Sequence, residues 1–309
     1  MDGRRVTLDV PGGVVDPFSV LKLGPEMEGV PMPRAALRDE ESLETWPSTD
    51  LAGYLFKRDA GREHREAIAH DLERWLGHLD EYGIAIVQVP IPSTAPNELF
   101  DRFADLDNVF LSIRVDPHDG MKAVRRIREL SGRYPNVRSI SISPHMLYPF
   151  IAPSAREFFP VYVAAIEEEL AMFVNVGYPA PRVPAFTQDP AHLDEVCWFF
   201  PDLTVVMRHG GEPWVSTCVK MLLRWPNLYY ATTAFAPRYY PAEIMHLLRT
   251  RGRDKVIWAG YWPMLSYDRL FREVGEYDLE PEVATSFFST NARRAFGFPS
   301  LSIEKKEST

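Results

Sequence analysis

Only two cysteines occur in 309 residues, Cys197 and Cys218, with no CxxC pair and no metal-finger spacing. A disulfide framework and a cysteine-rich zinc module are thereby excluded, and the simple expectation is a reduced, cytoplasmic protein. No apolar run reaches the ~18 residues that a membrane-crossing helix requires. The basic start Met1–Arg5 is followed by Val6–Val10 and Pro-Gly-Gly, without the apolar core of a signal peptide. Basic residues are also in deficit, 34 against 43 acidic ones, for a net charge of -9. A chain that follows a phosphate backbone needs a basic face, so neither nucleic acid nor membrane is an expected partner. Walker A and GxGxxG loops are missing, which removes the commonest purpose of an open nucleotide-binding sheet. What is present is ordinary globular material, 46% hydrophobic and 25% charged, enough for a large core.

Eight β-rich runs recur with helical stretches between them: Val6–Val10, Ile84–Val89, Val109–Asp116, Val137–His145, Ala171–Tyr178, Leu203–His209, Leu228–Phe235 and Lys255–Trp262. Helical spacing covers 63–82, 121–130, 240–251 and 266–275. Ser154 to Glu157 has a capping-box pattern ahead of a helix reaching about Leu170, and Asp189-Pro190 resembles a helix start. Alternation of strand and helix implies parallel pairing with right-handed crossovers. Eight such units predict a (β/α)8 TIM barrel in one domain over 1–309, an open doubly wound sheet being the runner-up. Residues 19–60 exceed a minimal barrel and read as a lid-like insertion after strand 1. Residues 282–298 read as a C-terminal helix.

Successive strand residues point to opposite faces. On strand 3 the apolar set Leu111, Ile113 and Val115 faces helices, so Phe110, Ser112, Arg114 and Asp116 face inward. Strand 4 turns Ser141, Ser143 and His145 inward, and strand 5 turns Phe173 and Asn175. On strand 6 His209 shares a face with Val205 and Met207, while Thr204, Val206 and Arg208 form a less clean face. The mouth expected from this parity holds Asp9, Gln88, Arg114, Asp116, His145, Asn175, His209, Tyr261 and one of Thr232 or Thr233. Arg114 either pairs with an inward acid or holds a substrate carboxylate in its planar fork. His145 and His209, at strand ends, are the natural proton carriers near neutral pH. Trp214 and Tyr178 offer an aromatic wall for a substrate, or simply pack.

Met207-Arg208-His209-Gly210-Gly211-Glu212-Pro213-Trp214 resembles the strand-6 motif of the amidohydrolase-2 branch of the amidohydrolase superfamily. Phe200-Pro201-Asp202-Leu203, Lys255 to Pro263, and Asn291 to Gly297 resemble further parts of that pattern, and Asp9 to Pro17 resembles its opening. The resemblance implies a TIM-barrel hydrolase or decarboxylase, usually metal-dependent and commonly dimeric. It also implies metal ligands at the ends of strands 1, 5, 6 and 8. On that alignment Pro11 and Gly13 stand at the strand-1 positions, Asn175 at strand 5 and Tyr261 at strand 8, leaving His209 alone. A transition metal normally takes three or more protein ligands, so the expectation is a site without a metal.

The function expected is a metal-independent lyase, by decarboxylation or elimination, or a hydrolase, acting on a small carboxylated or aromatic substrate. His209 is the expected acid/base and Tyr261 a proton or hydrogen-bond donor, with His145 or Asp116 sharing the proton. Arg114, Asn175 and Asp9 are expected to hold substrate, with Trp214 and Tyr178 alongside. Two alternatives stand. One is a metalloenzyme with one divalent ion, such as zinc, on displaced ligands drawn from Asp9, Asp16, Asp116, His145 and His209. The other is a catalytically silent barrel that binds a ligand or a partner protein.

Overall fold

The computed structural model describes residues 5–23, 27, 61–179 and 183–299. The alternation of side chains along the strands separates two apolar clusters. Val87, Val89, Leu111, Ile113, Ile140 and Ile142 belong to an outer one under the helices. Phe110, Phe173, Val206, Ile257 and Ala259 belong to an inner one. Two buried faces are what a parallel sheet wrapped by crossover helices requires.

The strands are β1 (Val14–Asp16), β2 (Ile84–Pro92), β3 (Val109–Arg114), β4 (Val137–Ile142), β5 (Ala171–Asn175), β6 (Val205–Arg208), β7 (Leu228–Ala231) and β8 (Val256–Ile257). They pair in parallel in chain order from β1 to β8. The expected (β/α)8 barrel is the fold. Between β8 and β1 the seam closes just beyond the strand ends. Tyr261 N donates to Phe18 O at 3.2 Å and Val20 N to Trp262 O at 2.8 Å. The Asp16 carboxylate ties this seam. Its Oδ1 accepts from Gly260 N (2.8 Å) and Phe18 N (3.1 Å), and its Oδ2 from Ser19 Oγ (3.1 Å) and Tyr267 OH (2.9 Å).

The first strand is not Val6–Val10. Gly12 and Gly13, both at positive φ, turn the chain at the N-terminal end of the barrel before β1 begins. A Cβ on Gly13 would lie 2.4 Å from that of Ala85, so only glycine passes there. The alternation in 6–10 has another cause. Val6 and Leu8 lean on the outer core while Arg5, Thr7 and Asp9 are exposed.

The helices depart from expectation mainly at their starts. The stretch 63–82 is two helices, Arg62–Ala69 and Leu72–Glu81, the second capped by the Asp71 side chain on Arg74 N at 3.1 Å. The helix expected from Ser154 begins at Phe159, after a 3-10 turn at Arg156–Phe158. Ser154 hydrogen-bonds the His192 ring instead of capping. Ser266 does cap Tyr267–Gly275. The C-terminal helix runs through Pro281–Thr285, a π turn at Ser286–Thr290 and Asn291–Phe296. Its Ala292, Ala295 and Phe296 join the interior cluster. Of the lid-like insertion expected at 19–60, residues 24–26 and 28–60 lie outside the described residues. No helix among the described residues is long and apolar enough to cross a membrane.

Candidate active site

Parity places Arg208, not His209, on the interior face of β6, in line with Val206 of the inner cluster. Its guanidinium lies 4.8 Å from the ring centroids of both Phe18 and Phe173. Nε donates to Asn175 Oδ1 at the end of β5, and Nη2 donates to Ser143 Oγ, just past β4, at 3.3 Å. The residue is 3% exposed, and Nη1 is buried with no hydrogen-bond partner among the described residues. Among the described residues no carboxylate pairs with it. Burial, opposed by Tyr261 and reinforced by Arg114, pushes its pKa down to about 9, which leaves it cationic at neutral pH.

His209 follows at φ 71 and Tyr261 sits at φ 73. This left-handed backbone is uncommon for residues with a side chain and concentrates at functional sites. It explains why adjacent residues, Arg208 and His209, both serve the mouth: the turn after β6 breaks the two-residue alternation. The His209 ring meets Phe18 and Tyr261 edge to face, each at 5.4 Å, and Phe18 stacks on Tyr261 at 5.6 Å. His209 Nδ1 is buried without a hydrogen-bond partner among the described residues. Burial, then the charges of Arg208 and His145, hold its pKa well below the usual imidazole range, against a backbone hydrogen bond at Thr233.

His145 lies in a 3-10 turn, Pro144–Met146, after β4. Its Nδ1 is 2.6 Å from Gln188 Oε1. Burial, with the Arg208 charge adding to it and the Gln188 bond opposing, lowers its pKa to about 4. Arg114 ends β3, its pKa lowered to about 10 by burial. It lines a cavity of about 270 Å³ together with Ser141, Ser143, Met146 and Asp116. Ser143 joins the halves of the mouth, since it lines this cavity and accepts from Arg208.

The structure thus brings together five expected residues: Arg114, His145, Asn175, His209 and Tyr261. The other expected residues are engaged differently. Asp9 precedes the Gly12-Gly13 turn and is exposed, away from the mouth, because β1 begins later. Asp116 sits on the cavity rim, where its carboxylate caps the following turn, accepting from His118 N at 2.9 Å and lying 2.8 Å from His118 Nδ1. It does not share a proton with His209. Tyr178 and Trp214 stack on each other at 5.7 Å, Tyr178 being exposed. Gln88 braces the interior, donating to Pro17 O and accepting from Ser139. Thr232 Oγ1 accepts from Ala259 N at 3.3 Å. Arg208, Gln188 and Phe18 were not among the candidates. For Arg208 the available signal was its two-residue offset from Val206.

Comparison with known proteins fixes the lineage. A family model described as amidohydrolase matches residues 86–298. The chain belongs to the amidohydrolase family. No curated protein matches it. Among solved structures, a TIM-barrel protein of Bordetella bronchiseptica is similar over 92% of this chain and 98% of its own, at 16% identity and TM-score 0.72. A 5-carboxyvanillate decarboxylase from Sphingomonas paucimobilis is similar over 94% and 100%, at 14% identity and TM-score 0.64. A dihydroxybenzoic acid decarboxylase from Polaromonas, with manganese and 2-nitroresorcinol bound, is similar over 84% and 94%, at 14% identity and TM-score 0.59. At such identities the likeness establishes the shared barrel.

The manganese of that last structure raises the question of whether this amidohydrolase barrel has a matching donor set. Among the described residues no three of His, Cys, Asp and Glu gather as metal ligands. With β1 ending at Asp16, the strand-1 tip is Asp16-Pro17-Phe18 rather than Pro11 and Gly13. Both Asp16 oxygens are engaged in the seam, and Phe18 has no donor atom. Asn175 is engaged by Arg208, and the strand-8 tip is Tyr261. A guanidinium charge lies among these strand ends, where a second cation would be repelled. The described residues do not fit a transition-metal site.

Proposed function

We propose that this amidohydrolase is a metal-independent lyase that decarboxylates small aromatic carboxylates, binding the carboxylate at Arg208 and moving the proton through His209. One observation carries the reading: the buried Arg208 guanidinium keeps an orphaned Nη1 and has no carboxylate partner among the described residues. An unsatisfied buried donor is costly unless a ligand completes it. Arg114 adds a second positive charge beside a cavity of about 270 Å³, a size suited to a small substrate. Phe18, Phe173 and Tyr261 make the surroundings of the guanidinium aromatic. The decarboxylases of carboxyvanillate and dihydroxybenzoate among the structural relatives support the substrate class.

In this mechanism Arg208 and Arg114 neutralise and orient the carboxylate. The protonated His209 delivers its proton to the ring carbon that bears the carboxylate. The bond from that carbon to the carboxylate then breaks, its electron pair restores the aromatic ring, and carbon dioxide leaves. His209 regains a proton from solvent. Tyr261 bounds the site and donates a hydrogen bond to the substrate.

The test is carbon dioxide release from a panel of hydroxybenzoates by the wild type and by Arg208→Lys and Arg208→Gln. The reading expects Arg208→Gln to reduce kcat/KM by about a hundredfold or more, with partial retention in Arg208→Lys. Equal turnover in all three contradicts it. The manganese of the Polaromonas relative favours a second reading, a divalent ion held by displaced ligands. Stoichiometric metal required for turnover would select it.

A further inference from the structure

The turn Phe186–Gln188 packs on the turn that carries His145, and Gln188, 2% exposed, is tied to Gly177 twice. Gly177 N donates to Gln188 O at 2.9 Å, and Gln188 Nε2 donates to Gly177 O at 2.6 Å. Glycine is required at 177. Its φ is +91, and a Cβ there would stand 2.8 Å from Gly211 N. A carbonyl oxygen only accepts, so the NH2 end of the Gln188 amide is fixed at Gly177. Oε1 is thereby turned to His145 Nδ1, 2.6 Å away. Oε1 carries no hydrogen, so Nδ1 supplies the proton of that bond. In a neutral imidazole Nε2 is then bare. The charge that reaches this ring is that of Arg208, which with burial opposes its protonation, while the Gln188 bond favours it.

We propose that Gln188 is a positioning residue that holds His145 as the Nδ1-protonated tautomer, making its Nε2 the proton acceptor of the mouth while His209 is the donor. The proposal rests on the proton-transfer reading above and extends it to the second histidine and to hydroxyl-bearing substrates. A ring hydroxyl ortho to the carboxylate loses its proton to Nε2: the O–H bond breaks and an N–H bond forms. The oxygen electron pair enriches the adjacent ring carbon, which takes the proton from His209. Carbon dioxide leaves with cleavage of the carbon–carbon bond, whose electron pair restores the ring. His145 returns its proton to the phenolate oxygen. The balance is one carboxylate and one solvent proton giving arene and carbon dioxide.

The experiment is a two-bond proton–nitrogen correlation spectrum of the 15N-labelled full chain, with the His145 signals assigned by their loss in His145→Gln. The expected result at neutral pH is a protonated Nδ1 and an unprotonated Nε2. In Gln188→Glu a carboxylate replaces the amide, and the His145 titration moves up by about one unit or more, carrying the acid limb of the pH–rate profile with it. An Nε2-protonated ring in the wild type overturns the proposal, as does an unmoved titration in Gln188→Glu. Should that variant not fold, the wild-type tautomer decides alone. Because the spectrum needs no turnover, the expected tautomer in a protein inert toward hydroxybenzoates would sink the proposed reaction and leave the clamp standing. Turnover with the other tautomer would do the reverse.

Discussion

His209 and Arg208 are neighbours in the chain and opponents in charge. Burial first, and then the guanidinium charge, hold the imidazole neutral, its pKa well below 6.5. On the proposed reading a carboxylate bound at Arg208 offsets that charge and helps His209 take up a proton. The general-acid reading therefore makes kcat/KM fall as pH rises from 6 to 8, because the protonated form of the free enzyme becomes scarcer. The kcat profile should be flatter, since bound substrate offsets Arg208. A kcat/KM that climbs with pH over this range would contradict the reading. His209→Asn should lower kcat by about a hundredfold or more with KM little changed, and circular dichroism would verify the fold. Both histidines also bear on stability. Their folded pKa values lie below the unfolded value, so the unfolded chain binds more protons between about 4, the folded value of His145, and 6.5. Their joint contribution is complete above pH 6.5 and is lost as the solution is acidified through that window. Asp16 works against them. Burial raises its pKa to about 6, so its contribution declines as pH rises from 3.8 to 6. Replacing His145 with Gln should therefore flatten the acid side of a denaturation-midpoint profile.

At the level of strands, periodicity located seven of the eight because their inner and outer faces are chemically distinct: Leu111 and Ile113 against Ser112 and Arg114, Ile140 and Ile142 against Ser139 and Ser141. β1 was misplaced because its three residues are all buried and carry no alternation, whereas the exposed 6–10 segment alternates cleanly. The turn after β6 was opaque for a related reason. A left-handed residue rephases the side chains, and histidine does not announce such a backbone as glycine would. Expected Asp9 left the mouth through the strand shift, whereas Asp116 stays on its rim with its carboxylate capping a local turn. The β8–β1 seam is the joint that Asp16 holds with four hydrogen bonds. Asp16→Ala leaves those donors facing a cavity, and urea unfolding should register a loss of about 3 kcal/mol or more. Asp16→Asn, which keeps one acceptor and can donate to the hydroxyl oxygens, should lose less. Equal stability of Asp16→Ala and wild type would remove the seam role.

The molecule as a whole carries a net charge of -9, yet its barrel mouth gathers Arg114, Arg208 and two histidines. That inversion was only half legible. Family resemblance and the alternation of strand and helix identified the barrel and named His209, Asn175 and Tyr261 as candidates, but the cation beside them stood on the face of β6 that parity left unclean. Its meaning depends on three-dimensional neighbours, the rings of Phe18 and Phe173 and the tips of β4 and β5, that no local pattern connects. The central claim is that this guanidinium, in place of a metal ion, receives the substrate carboxylate. Calorimetric titration of 2,6-dihydroxybenzoate into chelator-treated protein tests it most directly, with wild type and Arg208→Gln run side by side and manganese then restored. The account predicts binding by the metal-free wild type, unchanged on adding manganese and lost in Arg208→Gln. Binding that appears only when manganese is returned, or that survives the loss of Arg208, would contradict it.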